Sequence, residues 1–171
     1  AAGDFNNDGF IDIFSQLQNE LYLGQGDLTF TGMEAPVTPG AIADLNHDGY
    51  LDVYRNSQVW LNAPNGHHWI KTSLFGIISN RNGIGARIEI YGPWGIQTRE
   101  VRSGQSYSPM SSLNTHFGLG QNNLVDSLIV YWPSGMITRL FDLAADSLYL
   151  IPEKPCMRAS SLALVDGSTS I

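Results

Sequence analysis

Asp4-Phe5-Asn6-Asn7-Asp8-Gly9-Phe10-Ile11-Asp12 and, forty residues on, Asp44-Leu45-Asn46-His47-Asp48-Gly49-Tyr50-Leu51-Asp52 are two copies of one pattern. Oxygen-bearing side chains fall at alternate positions, and a further acid closes each copy. Calcium takes six to eight oxygen ligands at about 2.3–2.6 Å, and a loop with oxygens at alternate positions can wrap one ion. The pattern predicts two Ca²⁺, one per loop. Asp4, Asn6, Asp8 and Asp12 with the Phe10 carbonyl would hold the first, and Asp44, Asn46, Asp48 and Asp52 with the Tyr50 carbonyl the second. Gly9 and Gly49 stand where the chain must turn sharply. The loops begin like an EF-hand, whose bidentate Glu would fall here at Ser15 and Arg55. Neither can serve, and Ile13-Phe14 and Val53-Tyr54 read as strand rather than helix. The acid at the ninth position is therefore expected to ligate directly, within a β-hairpin. The plain alternative is a pair of Asx-rich turns with no ion; two matched copies weigh against it.

The charge distribution agrees. The net charge is −7, but residues 1–66 hold nine acids against one base, Arg55, whereas the remainder carries seven acids and eight bases. Six of those nine acids sit in the two loops, a clustering that repels itself unless a cation neutralises it. With two Lys, seven Arg and no basic stripe, nucleic-acid binding is not expected. Cys156 is the single cysteine, so there is no intrachain disulfide and no thiolate zinc site. No apolar run approaches the ~20 residues of a membrane span. The chain opens inside the first motif, which suggests a mature or truncated product.

Outward from the loops, short strands alternate with turns and no segment keeps a helical period, so the expected class is all-β. Residues 1–66 read as an incomplete β-repeat array, since each motif is followed by an apolar segment, Glu20–Leu23 or Gln58–Leu61, and a polar turn. Residues 67–151 read as a small antiparallel sandwich or barrel. Its strands are expected near Trp69–Phe75, Ala86–Tyr91, Gln97–Arg102, Leu128–Trp132, Ile137–Phe141 and Ser147–Ile151, with a turn at Gly118–Asn123. Residues 152–171 form a tail in which Ser160–Asp166 has the composition of an exchangeable strand.

These residues resemble known families. The Asp-x-Asn-x-Asp-Gly-x-x-Asp units, with Asn19–Leu23 and Gly26–Phe30 after them, are similar to FG-GAP/VCBS repeats. His68-Trp69-Ile70, Ser79–Arg87, Arg99–Gly104, His116–Gly120 and Trp132–Gly135 resemble an ASPIC/UnbV domain, a pairing shared with cartilage acidic protein-like chains. The resemblance implies an extracellular or cell-surface setting, calcium in the repeats, adhesion or ligand binding, and no established catalysis. FG-GAP repeats usually build a seven-bladed propeller, of which this chain holds one full unit and part of another.

Other candidates read as structural. His67 and His68 point to opposite faces of a strand and are not expected to share a metal. His116 is expected to make a structural hydrogen bond. Glu89 and Glu100, conceivable as a glycosidase pair, stand among Arg87, Arg99 and Arg102 and are expected to form ion pairs. Trp60, Trp69 and Trp132 are assigned to the core and Trp94 to an exposed turn, where stacking on a sugar is the lesser of two readings. The leading expectation is a non-enzymatic calcium-binding module whose partner is an extracellular protein or glycan. Two alternatives stay open: a filament subunit that polymerises with copies of itself by strand addition, and an accessory part of a carbohydrate-active enzyme.

Overall fold

The structure, a computed structural model, describes residues 1–15, 20–104 and 110–154. Fourteen strands in four sheets carry these residues, with no helix among them. The N-terminal region holds two of the sheets. β1 (Ala2–Gly3), β2 (Asp12–Ser15), β3 (Glu20–Gly24) and β4 (Phe30–Glu34) pair in that order, and β5 (Ala41–Ala43), β6 (Asp52–Arg55) and β7 (Gln58–Trp60) form the other. The sequence repeat is a backbone repeat as well. Each motif joins two antiparallel strands, with Gly3 opposite Asp12 in the first and Ala43 opposite Asp52 in the second. The turn inside each motif uses left-handed backbone at matching positions, Asn7 and Gly9 (φ 57° and 99°) and His47 and Gly49 (φ 64° and 87°). Asn and Gly adopt that conformation at low cost.

The rest of the chain forms two larger sheets. One has the order β10 (Gly95–Glu100), β9 (Arg87–Gly92), β12 (Leu124–Tyr131), β13 (Ile137–Ala144). The other has the order β11 (Thr115–Gly120), β8 (His68–Phe75), β14 (Ser147–Pro152). Their inner faces share one core: Ile70, Phe117 and Ile151 from the three-stranded sheet pack with Ile88, Ile90, Leu128, Val130 and Leu140 from the other. β-Branched and aliphatic side chains on pleated strands bury well against a facing sheet, which is why these segments pair and stack. The N-terminal region has a separate, smaller core of Phe5, Phe14, Ile42, Leu51 and Val53, with Phe5 edge-on to Phe14.

Several expectations need correction. Both larger sheets are open, so the sandwich reading holds and the barrel does not. The unit is not wholly antiparallel: β14 runs parallel to β8, Ser147 opposite Ile70. The chain crosses from one sheet to the other between β13 and β14, so no hairpin dictates that strand's direction. Residues 118–120, read as a turn, belong to β11. Trp60 is 38% exposed, because β7 is an edge strand with no neighbour on its outer side among the described residues. Trp94 is half-buried rather than displayed, its ring folded over Gly92 and packed against the core. The tail strand Ser160–Asp166 and Cys156 lie outside the described residues.

Candidate metal centre

In the first loop every acid is anchored by backbone N–H groups. Asp4 accepts from Asp8 N on Oδ1 (3.1 Å), and from Gly9 N (2.9 Å) and Gly118 N (3.1 Å) on Oδ2. Asp8 accepts from Phe10 N on Oδ1 and from the Asn6 amide on Oδ2. Asp12 accepts from Gly24 N (2.9 Å) and Phe5 N (2.7 Å), and so ties the loop to the end of β3.

The second loop repeats this scheme almost bond for bond. Asp44 Oδ2 accepts from Gly49 N at 2.9 Å, and Asp48 accepts from Tyr50 N and the Asn46 amide. Asp52 accepts from Asn62 N (2.8 Å) and Leu45 N (2.7 Å). The loops diverge at both oxygens of the first aspartate. Where Asp4 Oδ2 takes the Gly118 N–H, Asp44 Oδ2 takes the ammonium of Lys71. Asp44 Oδ1 is buried with no hydrogen-bond partner.

Both loops are seated on the sandwich. Gly118 on β11 and Lys71 on the adjacent β8 are the anchors, and Gly120 N donates to the Asn7 carbonyl at 2.8 Å. The Asn7 amide and His116 Nε2 both donate to the Gly49 carbonyl, at 3.1 and 2.9 Å. From the strand-to-sandwich connection, Asn62 donates to the Phe5 carbonyl and Asn65 to the Asn6 carbonyl. A cavity of about 130 Å³ opens where these parts meet, with Asp4, Asp44, Lys71, Arg99 and His116 in its lining. Close approach demands glycine twice here. A Cβ at Gly118 would stand 2.2 Å from Asp4 Oδ2, and one at Gly49 would stand 1.9 Å from the Trp69 indole.

The electrostatics of the two loops differ. Asp4 is 1% exposed; burial, then repulsion from Asp8 and Asp12, pushes its carboxyl up to about 7 despite the Gly9 N–H. Burial likewise raises Asp12 to about 6, against the N–H groups of Gly24 and Phe5. The guanidinium of Arg99 acts on Asp4 from a distance, but no Lys or Arg forms an ion pair with the first loop's acids among the described residues. His116 is buried, and desolvation lowers it to about 4, so the ring is neutral near pH 7 and donates from Nε2.

Calcium, the ion that the motifs imply, can be tested against these donors. Among the described residues no three His, Cys, Asp or Glu side chains are gathered into a ligand set. Each acid spends lone pairs on backbone N–H groups, and a carboxylate's two oxygens offer about four acceptor positions, so others remain. The first loop fits a hard cation in donor type, all oxygen, and in charge, buried carboxylates that repel one another. The second already holds a cation, the Lys71 ammonium.

The sequence signalled Asp4, Asn6, Asp8, Phe10 and Asp12 and their counterparts, and the fold places each set in one loop. It did not signal Lys71, Gly118 or the role of Arg99. The available hint was a lysine inside the apolar strand Trp69-Ile70-Lys71-Thr72, where Ile70, Lys71 and Thr72 are all buried. The remaining candidates are held structurally. His67 Nδ1 contacts the Asn6 carbonyl while His68 Nδ1 faces Asp146, so the two rings diverge. Glu89 pairs with Arg87 and Glu100 with Arg102.

Residues 4–55 match the family described as FG-GAP-like repeat, and residues 76–157 match the family described as ASPIC and UnbV. No curated protein matches the chain.

Proposed function

On the premise that the chain is an FG-GAP-like repeat followed by an ASPIC/UnbV domain, we propose that it is a non-catalytic, extracellular binding module whose repeat is clasped to its sandwich by calcium in the first loop. The supporting observation is Asp4. Its buried carboxylate belongs at once to the acidic loop and, through Gly118 N, to strand β11 of the sandwich. Calcium, when bound, supplies the positive charge that offsets the repulsion among Asp4, Asp8 and Asp12. The chain's own residues do the rest. Gly9 and Phe5 N–H groups fix the carboxylates, and Asn62 and Asn65 tie the loop backbone to the connection that leads into β8.

The module offers surface rather than chemistry: Glu89 and Glu100 are each engaged by an arginine, and His116 is buried and neutral. Its partner is an extracellular protein or glycan. One observation favours a second reading, association with copies of itself. β4 is exposed along its whole length at one sheet edge, and Val59, Trp60 and Leu61 are exposed at another. Unpaired edges of this kind template strand addition. Light scattering across a concentration series separates the two: a constant monomer mass rejects self-association.

Calcium binding is tested by thermal unfolding of the chain with calcium and with EDTA. A lower midpoint in EDTA is expected, and Asp4→Asn should erase the difference. Identical midpoints, together with no heat of calcium binding, would overturn the reading.

A further inference from the structure

The two loops are alike in sequence and nearly alike in hydrogen bonding, which makes their differences at the first aspartate informative. The first aspartate of each loop uses the same oxygen, Oδ2, to accept the N–H of the loop glycine at 2.9 Å. The second partner of that oxygen is a neutral backbone amide in the first loop, Gly118 N, and a full positive charge in the second, Lys71 Nζ. Both partners come from the same sheet: β11 and β8 are neighbours, with His116 opposite Lys71. Lys71 is not a passing surface side chain. It is 5% exposed, its ammonium lies 4.7 Å from the Trp69 ring centre, and Trp69 in turn covers Gly49. An ammonium so placed neutralises Asp44, and in a site screened from water it repels a second cation strongly.

We propose that Lys71 is the resident cation of the second loop, so that the chain binds one calcium ion, through the first loop, and folds its second loop without one. The proposal rests on the calcium reading of the first loop and deepens it. Lys71 thereby fixes how many ions the module holds and divides the two motifs into an ion-dependent and an ion-independent half. The ion-independent loop keeps its seat on β8 when calcium is scarce, and only the Asp4 contact to β11 responds to the ion.

Isothermal titration of the full, calcium-stripped chain with calcium chloride tests this. The expected stoichiometry is one. Asp4→Asn should abolish binding, whereas Asp44→Asn should leave the stoichiometry at one and change the affinity less than about threefold. Lys71→Met, if circular dichroism shows it folded, should raise the stoichiometry to two. Two ions bound by the unaltered chain, or loss of binding in Asp44→Asn with retention in Asp4→Asn, would overturn the proposal and leave the calcium reading standing. A folded Lys71→Met chain that still takes one ion would also overturn it. No binding by the unaltered chain would remove the calcium reading itself.

Discussion

Glu153 in the sandwich and Asp4 in the repeat are both buried carboxylates, at 3% and 1% exposure, and they stand at opposite ends of the electrostatic scale. Burial works against the charge of Glu153. Hydrogen bonds from Ser134, Ser79 and Ile77 outweigh it, and they hold the group down at about 2. Burial also works against Asp4, but there the next neighbours are Asp8 and Asp12, and the group rises to about 7. Glu153 is met by hydrogen-bond donors from the sandwich's own loops, whereas Asp4 is set beside two further acids. The same contrast runs through the apolar side chains. The sandwich buries a broad core that includes Ile70, Ile88, Ile90, Leu128 and Leu140, whereas the repeat's core cluster is Phe5, Phe14, Ile42, Leu51 and Val53. A region with so small a core relies on what docks against it and on what neutralises its loops.

Substitutions should separate the halves by size of effect. Leu128→Ala, in the centre of the sandwich, should cost about 2–5 kcal/mol and move the sandwich's transition to lower denaturant. Chemical denaturation checks this; a cost below about 1 kcal/mol would contradict the sandwich as the dominant core. Next comes His116, which ties the sandwich to the Gly49 carbonyl in its neutral form. Burial has lowered it from the usual histidine range to about 4, so the unfolded chain takes up a proton first. Stability should be intact above about pH 6.5 and fall as pH drops towards about 4, by on the order of 3 kcal/mol. In His116→Gln that part of the stability–pH curve should flatten.

Calcium should act on the first loop and its seat on β11. At a free concentration a hundredfold above Kd it should add about 2.7 kcal/mol to the unfolding of that region, seen as a shift of an early transition in calorimetry. A shift confined to the late, sandwich transition would break the comparison. The smallest effect is expected from Ile42→Val in the repeat core, about 0.5–1.5 kcal/mol, read from the same early transition.

Much of this arrangement was legible in the sequence, for physical reasons that also mark where legibility stops. The loops could be read because acids at alternate positions have few other uses, and the strand segments because apolar alternation follows the pleat. Strand β11 could not, since Gly118 and Gly120 imitate a turn. The smallness of Gly118 instead answers to long-range packing, with Asp4 and Asn7 lying against it. Trp60 was misassigned because an aromatic in an apolar strand looks the same at an edge as at a centre. The direction of β14 depends on a crossover between sheets that no local pattern records. Lys71 meets Asp44 across twenty-seven positions of sequence, and only the fold makes them partners.

On the proposed reading, one loop waits for an ion while its twin carries a built-in one. Amide hydrogen exchange with and without calcium, resolved to single residues, tests it most directly. Calcium is expected to slow exchange at Phe5, Gly9 and Gly118, whose N–H groups bond Asp12 and Asp4, and to leave Leu45 and Gly49 unchanged. Equal slowing in both loops, or none in the first, would contradict it.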